Sequence, residues 1–246
     1  MIPAAATMRW TPAFVATALL VLTMTALASA PLDWPPFLRA SDEYPEEIAR
    51  AVTRLWTDAT FTRTVSAAPA PVPLPFYLRF VDAPDLAAAA ARHLGLTTYD
   101  VKVLGHDFYE VSNGDKTHGV YRVLRRDGGR RILLSSGRHR GPILGTVGGS
   151  ALTQLDFADD SGRSAQRLAV NVIIDQGVAA TITRATVPLF GWLVDRKLGE
   201  AFRTAAAAAA WAHDRPDEFC AWLDTALTVD RRRELLDVFD ECRQRG

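Results

Sequence analysis

An α+β fold, with a curved antiparallel sheet of about six strands wrapped on a long C-terminal helix, is predicted by the order of patterned segments in the chain. Three observations carry it. Six short segments between residues 99 and 175 are separated by turn chemistry at Asn113-Gly114, Asp127-Gly128-Gly129, Gly141-Pro142 and Asp160-Ser161-Gly162. Strands joined by turns this short are antiparallel neighbours. One long amphipathic stretch, VPLFGWLVDRKLGEAFRTAAAAAAWA, follows the last of them from Val187 to Ala212. Shorter helical patterns stand before and after this unit.

Residues 1–30 read as a signal peptide or membrane anchor. Arg9 precedes an uncharged apolar run from Ala13 to Leu27 that closes on Ala28-Ser29-Ala30, the layout of a secretory signal. The run is also just long enough to span a bilayer. Pro31 disfavours cleavage after Ala30 and leaves cleavage after Ala28 open. Either outcome places the rest of the chain outside the cytoplasm, secreted or anchored on the outer side of the cytoplasmic membrane.

Residues 31–65 hold an amphipathic helix. Ser41 and Asp42 are cap-type residues, and Ile48, Val52, Leu55, Trp56 and Ala59 recur at helical spacing. Residues 66–75, SAAPAPVPLP, read as a Pro/Ala connector and a domain boundary. FYLRFVDAP then alternates Phe76, Leu78 and Phe80 against Tyr77 and Arg79, the period of a strand. An Ala-rich helix follows, with Asp82 or Asp85 near its start and Gly95 near its end. In the last meander strand Leu168, Val170, Val172 and Ile174 point to a buried face, while Arg167, Ala169 and Asn171 point to a wet one.

Asp195, Arg196, Lys197, Glu200 and Arg203 exclude the long stretch as a membrane span. Val187, Phe190, Val194, Leu198, Ala201, Ala205, Ala208 and Ala212 share one side of its helical wheel, and Arg196 and Arg203 lie opposite. That side is bulky at first and almost pure methyl afterwards. The alanines either bring the helix close to the sheet or leave a space beneath it. Residues 215–246 form a tail of two short helices carrying Cys220 and Cys242. A hairpin turning near Thr228 would hold the cysteines roughly 9 Å or more apart, which favours two unpaired thiols.

The apolar share of 48% and charged share of 23% are those of a globular chain, and the formal net charge of zero gives no footprint for nucleic acid. RRDGGRR, from Arg125 to Arg131, reads as the solvated flanks of a hairpin. GxSxG, P-loop, HExxH and CxxC motifs are missing from the sequence, so neither metal nor cofactor is expected. The glycines of GTVGGS, residues 145–150, are expected to let a strand bend. Ser135 and Ser136 lie too near His139 on one hairpin to form a triad with Asp107 or Asp156. His106, Asp107 and Tyr109 share an apparent strand, and Arg122, Gln154 and Asn171 are the polar strand residues expected at a pocket.

The element order, opened by FYLRFVDAPDLAAAAARHL and closed by VPLFGWLVDRKLGEAFRTAAAAAAWA, resembles the START-like (SRPBCC, helix-grip) superfamily. The resemblance runs from Pro75 to His213, a START-like domain over residues 76–214. It implies a pocket between sheet and long helix for an apolar small molecule such as a lipid, sterol, quinone or polyketide-like compound. The expected lining is Leu168, Val170, Val172, Ile174 and Asn171 from the last strand, with Val194, Leu198, Ala201, Ala205 and Ala208 from the helix. The export segment and the added helices depart from the superfamily's usual plan. The expected function is therefore a non-enzymatic, extracytoplasmic, membrane-anchored binding protein. A membrane-tethered interaction module is the alternative, with the tail from Pro216 to Arg245 docking a protein partner through exposed Leu223, Leu227, Leu235, Val238 and Phe239. An aromatase/cyclase-like enzyme is the third reading.

Overall fold

Seven antiparallel strands form one curved open sheet in the order β1-β7-β6-β5-β4-β3-β2. They are β1 (Phe61–Ala70), β2 (Asp100–Gly105), β3 (Phe108–Asn113), β4 (Thr117–Asp127), β5 (Arg130–Gly141), β6 (Gly145–Asp160) and β7 (Arg163–Ile174). The structure is a computed structural model that describes residues 33–114, 116–141, 145–175 and 187–243, without the side chains of 187–198. The expected signal or anchor segment lies outside the described residues. The described residues from Asp33 onward form one compact unit, which includes residues 66–75, the expected connector.

Strands β2 to β7 are the six meander segments. The seventh strand, β1, arises from residues expected to end a helix and begin a connector. Its register against β7 runs from Phe61↔Val172 through Val65↔Leu168. Being at the sheet edge, it accommodates Pro69, which falls where the register shifts between Ala67 and Ala70.

Of FYLRFVDAP, expected as a strand, residues 76–82 lie in helix α2 (Leu74–Asp82), after α1 (Glu46–Thr57). Pro75 suits the first turn of a helix, and Tyr77 and Phe80, three apart, are both buried. Ala83 breaks the backbone before α3 (Pro84–His93), because Pro84 lacks the N–H that would continue α2. The chain then reaches the long helix α4 (Val187–Asp214). Helices α2, α3 and α4 share a core with the sheet's concave side, where Phe157, Leu168 and Val170 meet Tyr77, Phe80 and Phe202. The architecture is α+β and of the helix-grip type, with a strand preceding the helix pair instead of opening at residue 76.

The opposite side of the sheet is not uniformly wet. Helix α1 buries Val52 and Leu55 against Ile132 and Leu152, and Ile173 packs beside them. Its first turn carries Glu46 and Glu47, where acids complement the helix dipole. Ser41 does not cap it: residues Ser41–Glu43 are a separate 3₁₀ turn, and Pro45 stands at the cap.

The tail holds three helices, α5 (Pro216–Ala226), α6 (Val229–Val238) and α7 (Asp240–Arg243). The extra break at Phe239 corrects the expectation of unpaired thiols. It turns the chain back, so Cys220 and Cys242 form a disulfide with their Cα atoms 5.2 Å apart. Leu223, Leu235 and Phe239 are buried in the main core and Leu227 packs partly against it, so of the five residues that the interaction-module reading expected exposed only Val238 is. Arg79 pairs with Glu241 at 2.9 Å, and Arg231 holds Asp85 through two hydrogen bonds of 2.7 Å. Among the described residues no helix is long and apolar enough to cross a membrane.

Candidate functional site: a cavity beneath the long helix

Strand alternation decides what faces the concave side. On β5 it turns Arg131, Leu133 and Ser135 inward, and on β6 Thr153, Leu155 and Phe157. The registers Leu133↔Thr153 and Leu155↔Leu168 set these side chains in rows across the sheet. Helix α4 covers the rows with Ala201, Phe202 and Ala205, and α2 and α3 close the side with Tyr77, Phe80, Val81 and Ala87. The space enclosed is about 510 Å³, within the range of small-molecule sites, and its walls are mostly apolar. A second space of about 340 Å³ between α3 and α4 shares Ala87, Val111, Ala201 and Ala205 with the first.

The alanine run of α4 therefore serves both roles. Ala201 and Ala205 line the cavity, whereas Ala208 and Ala209 are fully buried in close packing. The buried face takes in Ala208 and Ala212 of the expected stripe and widens it to Phe202, Ala206 and Ala209. Phe202 is a wall residue that the wheel did not select.

The expected lining residues fall in several places. Leu168, Ala201 and Ala205 line the main cavity. Val170 packs in the core without lining it. Val172 and Ile174 line a shallower hollow of about 310 Å³ beside Gly148 and Gly149. Ala208 lies outside the lining. The side chains of Val194 and Leu198 lie outside the described residues. Asn171 faces the convex side, opposite Leu152, and so does not line the pocket. Arg122 and Gln154 are displaced by the same alternation: Tyr121 and Thr153 point inward, so their successors point out. Arg122 lies 4.9 Å from the Phe108 ring centroid, and Gln154 donates to Asp156. The GTVGGS glycines lie within β6; a Cβ on Gly149 would come within 2.5 Å of the Ile173 carbonyl oxygen.

The polar end of the cavity comes from RRDGGRR, which is more than a pair of solvated flanks. Arg131 is only 6% exposed. Its Nε and Nη2 donate to the two oxygens of Asp82 at 2.7 Å each, and its Nη1 donates to the carbonyls of Gly128 and Arg130. A bulge between Val123 and Arg125 shifts the β4 register, so Arg126 falls opposite Arg131 on the inner face. Arg126 donates from Nε to Asp82 at 3.0 Å and from Nη1 to Asp107. Asp107 and His106 form the β2–β3 turn, with Asp107 at a φ of 57°. Two carboxylates thus balance two guanidiniums.

Three phenols sit nearby. Tyr109 and Tyr121 stack with ring centroids 5.0 Å apart. Burial, then the neighbouring Tyr109 and Asp85, pushes the Tyr121 hydroxyl far above its ordinary pKa. Burial does the same to Tyr77, whose hydroxyl donates to Gln166 at 2.6 Å. These groups remain neutral donors. His139 bonds Thr117 at 2.7 Å, Asp156 holds Arg130 at 2.6 Å, and Asp107 holds Arg126, so the triad candidates are engaged elsewhere. Among the described residues no cluster of three or more His, Cys, Asp or Glu suits a metal ion.

No family model and no curated protein matches the chain. Solved structures resemble it at low identity. A conserved protein from Geobacillus kaustophilus is 14% identical with a TM-score of 0.43, covering 61% of this chain and 93% of its own. An uncharacterized protein from Rhizobium leguminosarum is 13% identical with a TM-score of 0.41, covering 61% of this chain and 94% of its own. Ara h 8.0201 is 12% identical with a TM-score of 0.40, covering 61% of this chain and 97% of its own.

Proposed function

We propose that this chain is a START-like, non-enzymatic binding protein that holds an apolar small molecule, such as a lipid or polycyclic compound, beneath α4. The cavity of about 510 Å³ between Leu133, Leu155, Leu168 and Ala205 carries the reading. The protein is exported, secreted or anchored on the outer side of the cytoplasmic membrane. Two features support that location: the apolar run after Arg9, and the Cys220–Cys242 pairing, which persists in oxidising compartments.

Mass spectrometry of the gently extracted protein tests both parts. It is expected to show a co-purifying lipophile and a mature N-terminus after Ala28 or an intact anchor. Two substitutions locate the site. Ala205→Trp is expected to fill the cavity and abolish binding of an apolar fluorescent dye while the thermal midpoint holds. Ala208→Trp, at a fully buried position, is expected to cost about 3 kcal/mol through overpacking. Equal destabilisation by both, or dye binding unchanged in Ala205→Trp, would overturn the reading.

A further inference from the structure

The cavity's polar groups fall into two chemically different sets. The charged set is closed on itself: Asp82 and Asp107 occupy the guanidiniums of Arg126 and Arg131. A ligand carboxylate therefore meets no unpaired cation among the described lining residues, and burying it there is costly. Of the neutral set, Tyr77 donates to Gln166 at 2.6 Å, and three other hydroxyls are open. Tyr121, Ser135 and Thr153 stand on adjacent strands of the cavity floor, Tyr121 directly opposite Ser135, and Thr153 opposite Leu133 two residues along β5. The hydroxyls of Tyr121 and Thr153 have no hydrogen-bond partner among the described residues. That of Ser135 reaches the Ala151 carbonyl only at 3.4 Å, long for an O–H donor.

We propose that the ligand is a neutral lipophile bearing an acceptor oxygen, a ketone or quinone carbonyl, whose two lone pairs accept from one or two of the hydroxyls of Tyr121, Ser135 and Thr153 within otherwise apolar walls. The inference rests on the cavity being a ligand site, as proposed above. A pure hydrocarbon of the same shape shuts these hydroxyls off from solvent and leaves them without acceptors. A carbonyl supplies the acceptor that the hydrocarbon lacks. The raised phenol pKa keeps Tyr121 a donor across the physiological range.

Fluorene, 9-fluorenone and fluorene-9-carboxylate provide a size-matched test, measured with the full chain by displacement of a bound apolar dye. Fluorenone is expected to bind about 3- to 10-fold tighter than fluorene for each hydrogen bond gained, and the carboxylate weakest of the three. Tyr121→Phe, Ser135→Ala and Thr153→Val are made singly, so that one poorly folding variant leaves two others, and removal of a hydroxyl that donates to the carbonyl is expected to narrow the fluorenone preference. Fluorene affinity is expected to rise, because the hydroxyl that a hydrocarbon leaves without an acceptor is gone. Fluorene binding as tightly as fluorenone, a preference that survives all three variants, or a carboxylate that binds best would each overturn this inference alone. Failure of the dye and all three probes to bind would overturn the ligand-binding reading and this inference with it.

Discussion

Asp82→Ala is expected to lower the free energy of unfolding by about 3 kcal/mol, the low end of the range for removing one partner of a buried pair. Its carboxylate accepts from both ends of the Arg131 guanidinium and from Arg126 Nε. Removing it leaves Arg131 almost without solvent and with only the Gly128 and Arg130 carbonyls as acceptors. The low end applies because the Asp82 side chain is 35% exposed and water from the cavity compensates part of the loss. Arg126 keeps Asp107, so its share of the cost is small. Combining Asp82→Leu with Arg131→Met removes both charges and is expected to recover most of the stability, because apolar replacement of a whole buried pair is often neutral or better. Urea denaturation of the single and double variants in a mutant cycle reads this directly. A loss below about 1 kcal/mol for Asp82→Ala would mean that the pair behaves as a solvated surface bridge.

That ion pair also marks where sequence reading stops. The parity of β5 placed Arg131 on the face of Leu133 and Ser135, and this was the available signal. A basic run beside a turn is nevertheless usually solvated, and nothing local to RRDGGRR names Asp82, which lies 49 residues earlier. The bulge at Leu124 is harder still. Without the register shift, alternation from Tyr121 and Val123 would have turned Arg125 inward. With it Arg126 takes that place, while Arg125 donates to the Phe37 carbonyl.

The fold was legible where its signals are local. Asn113-Gly114 and Asp160-Ser161-Gly162 supply positive-φ turn positions at Gly114, Ser161 and Gly162, and β2 to β7 follow from such punctuation. Strand β1 has no such signal. It contains Pro69, and its pairing partner β7 lies at the opposite end of the sheet's sequence, so only tertiary pairing makes it a strand. In α2, Phe76, Leu78 and Phe80 satisfy period two, but Tyr77 and Phe80 equally satisfy a helical three-residue step. Over so short a window the two periods do not separate. Burial of Tyr77, whose hydroxyl meets Gln166 on β7, decided between them. The disulfide escaped for a similar reason: a straight DRRRELLDVFDECRQ helix keeps the cysteines apart, and the break at Phe239 brings them together.

Replacing both Cys220 and Cys242 with serine is expected to cost about 3 kcal/mol, the loop-closure value for a sequence separation of 22. For a unit of this size that corresponds to a fall of roughly 6–12 °C in the thermal midpoint. The double variant avoids leaving one reactive thiol. Without the bridge, α5 to α7 are held by the Asp85–Arg231 and Arg79–Glu241 pairs and by Phe219, Leu223 and Phe239 in the core. The bridge acts on the unfolded chain, so the native fold of the variant should persist, with intact secondary structure by circular dichroism. An unchanged midpoint would show that these core contacts alone fix the tail. The consequence reaches the cavity through one residue. Phe80 lines it and lies 5.8 Å from the Phe219 ring and 5.4 Å from that of Phe239. Local opening of the tail, more frequent without the bridge, removes the support behind that wall, so the serine variant should also release a bound apolar dye faster than the bridged protein.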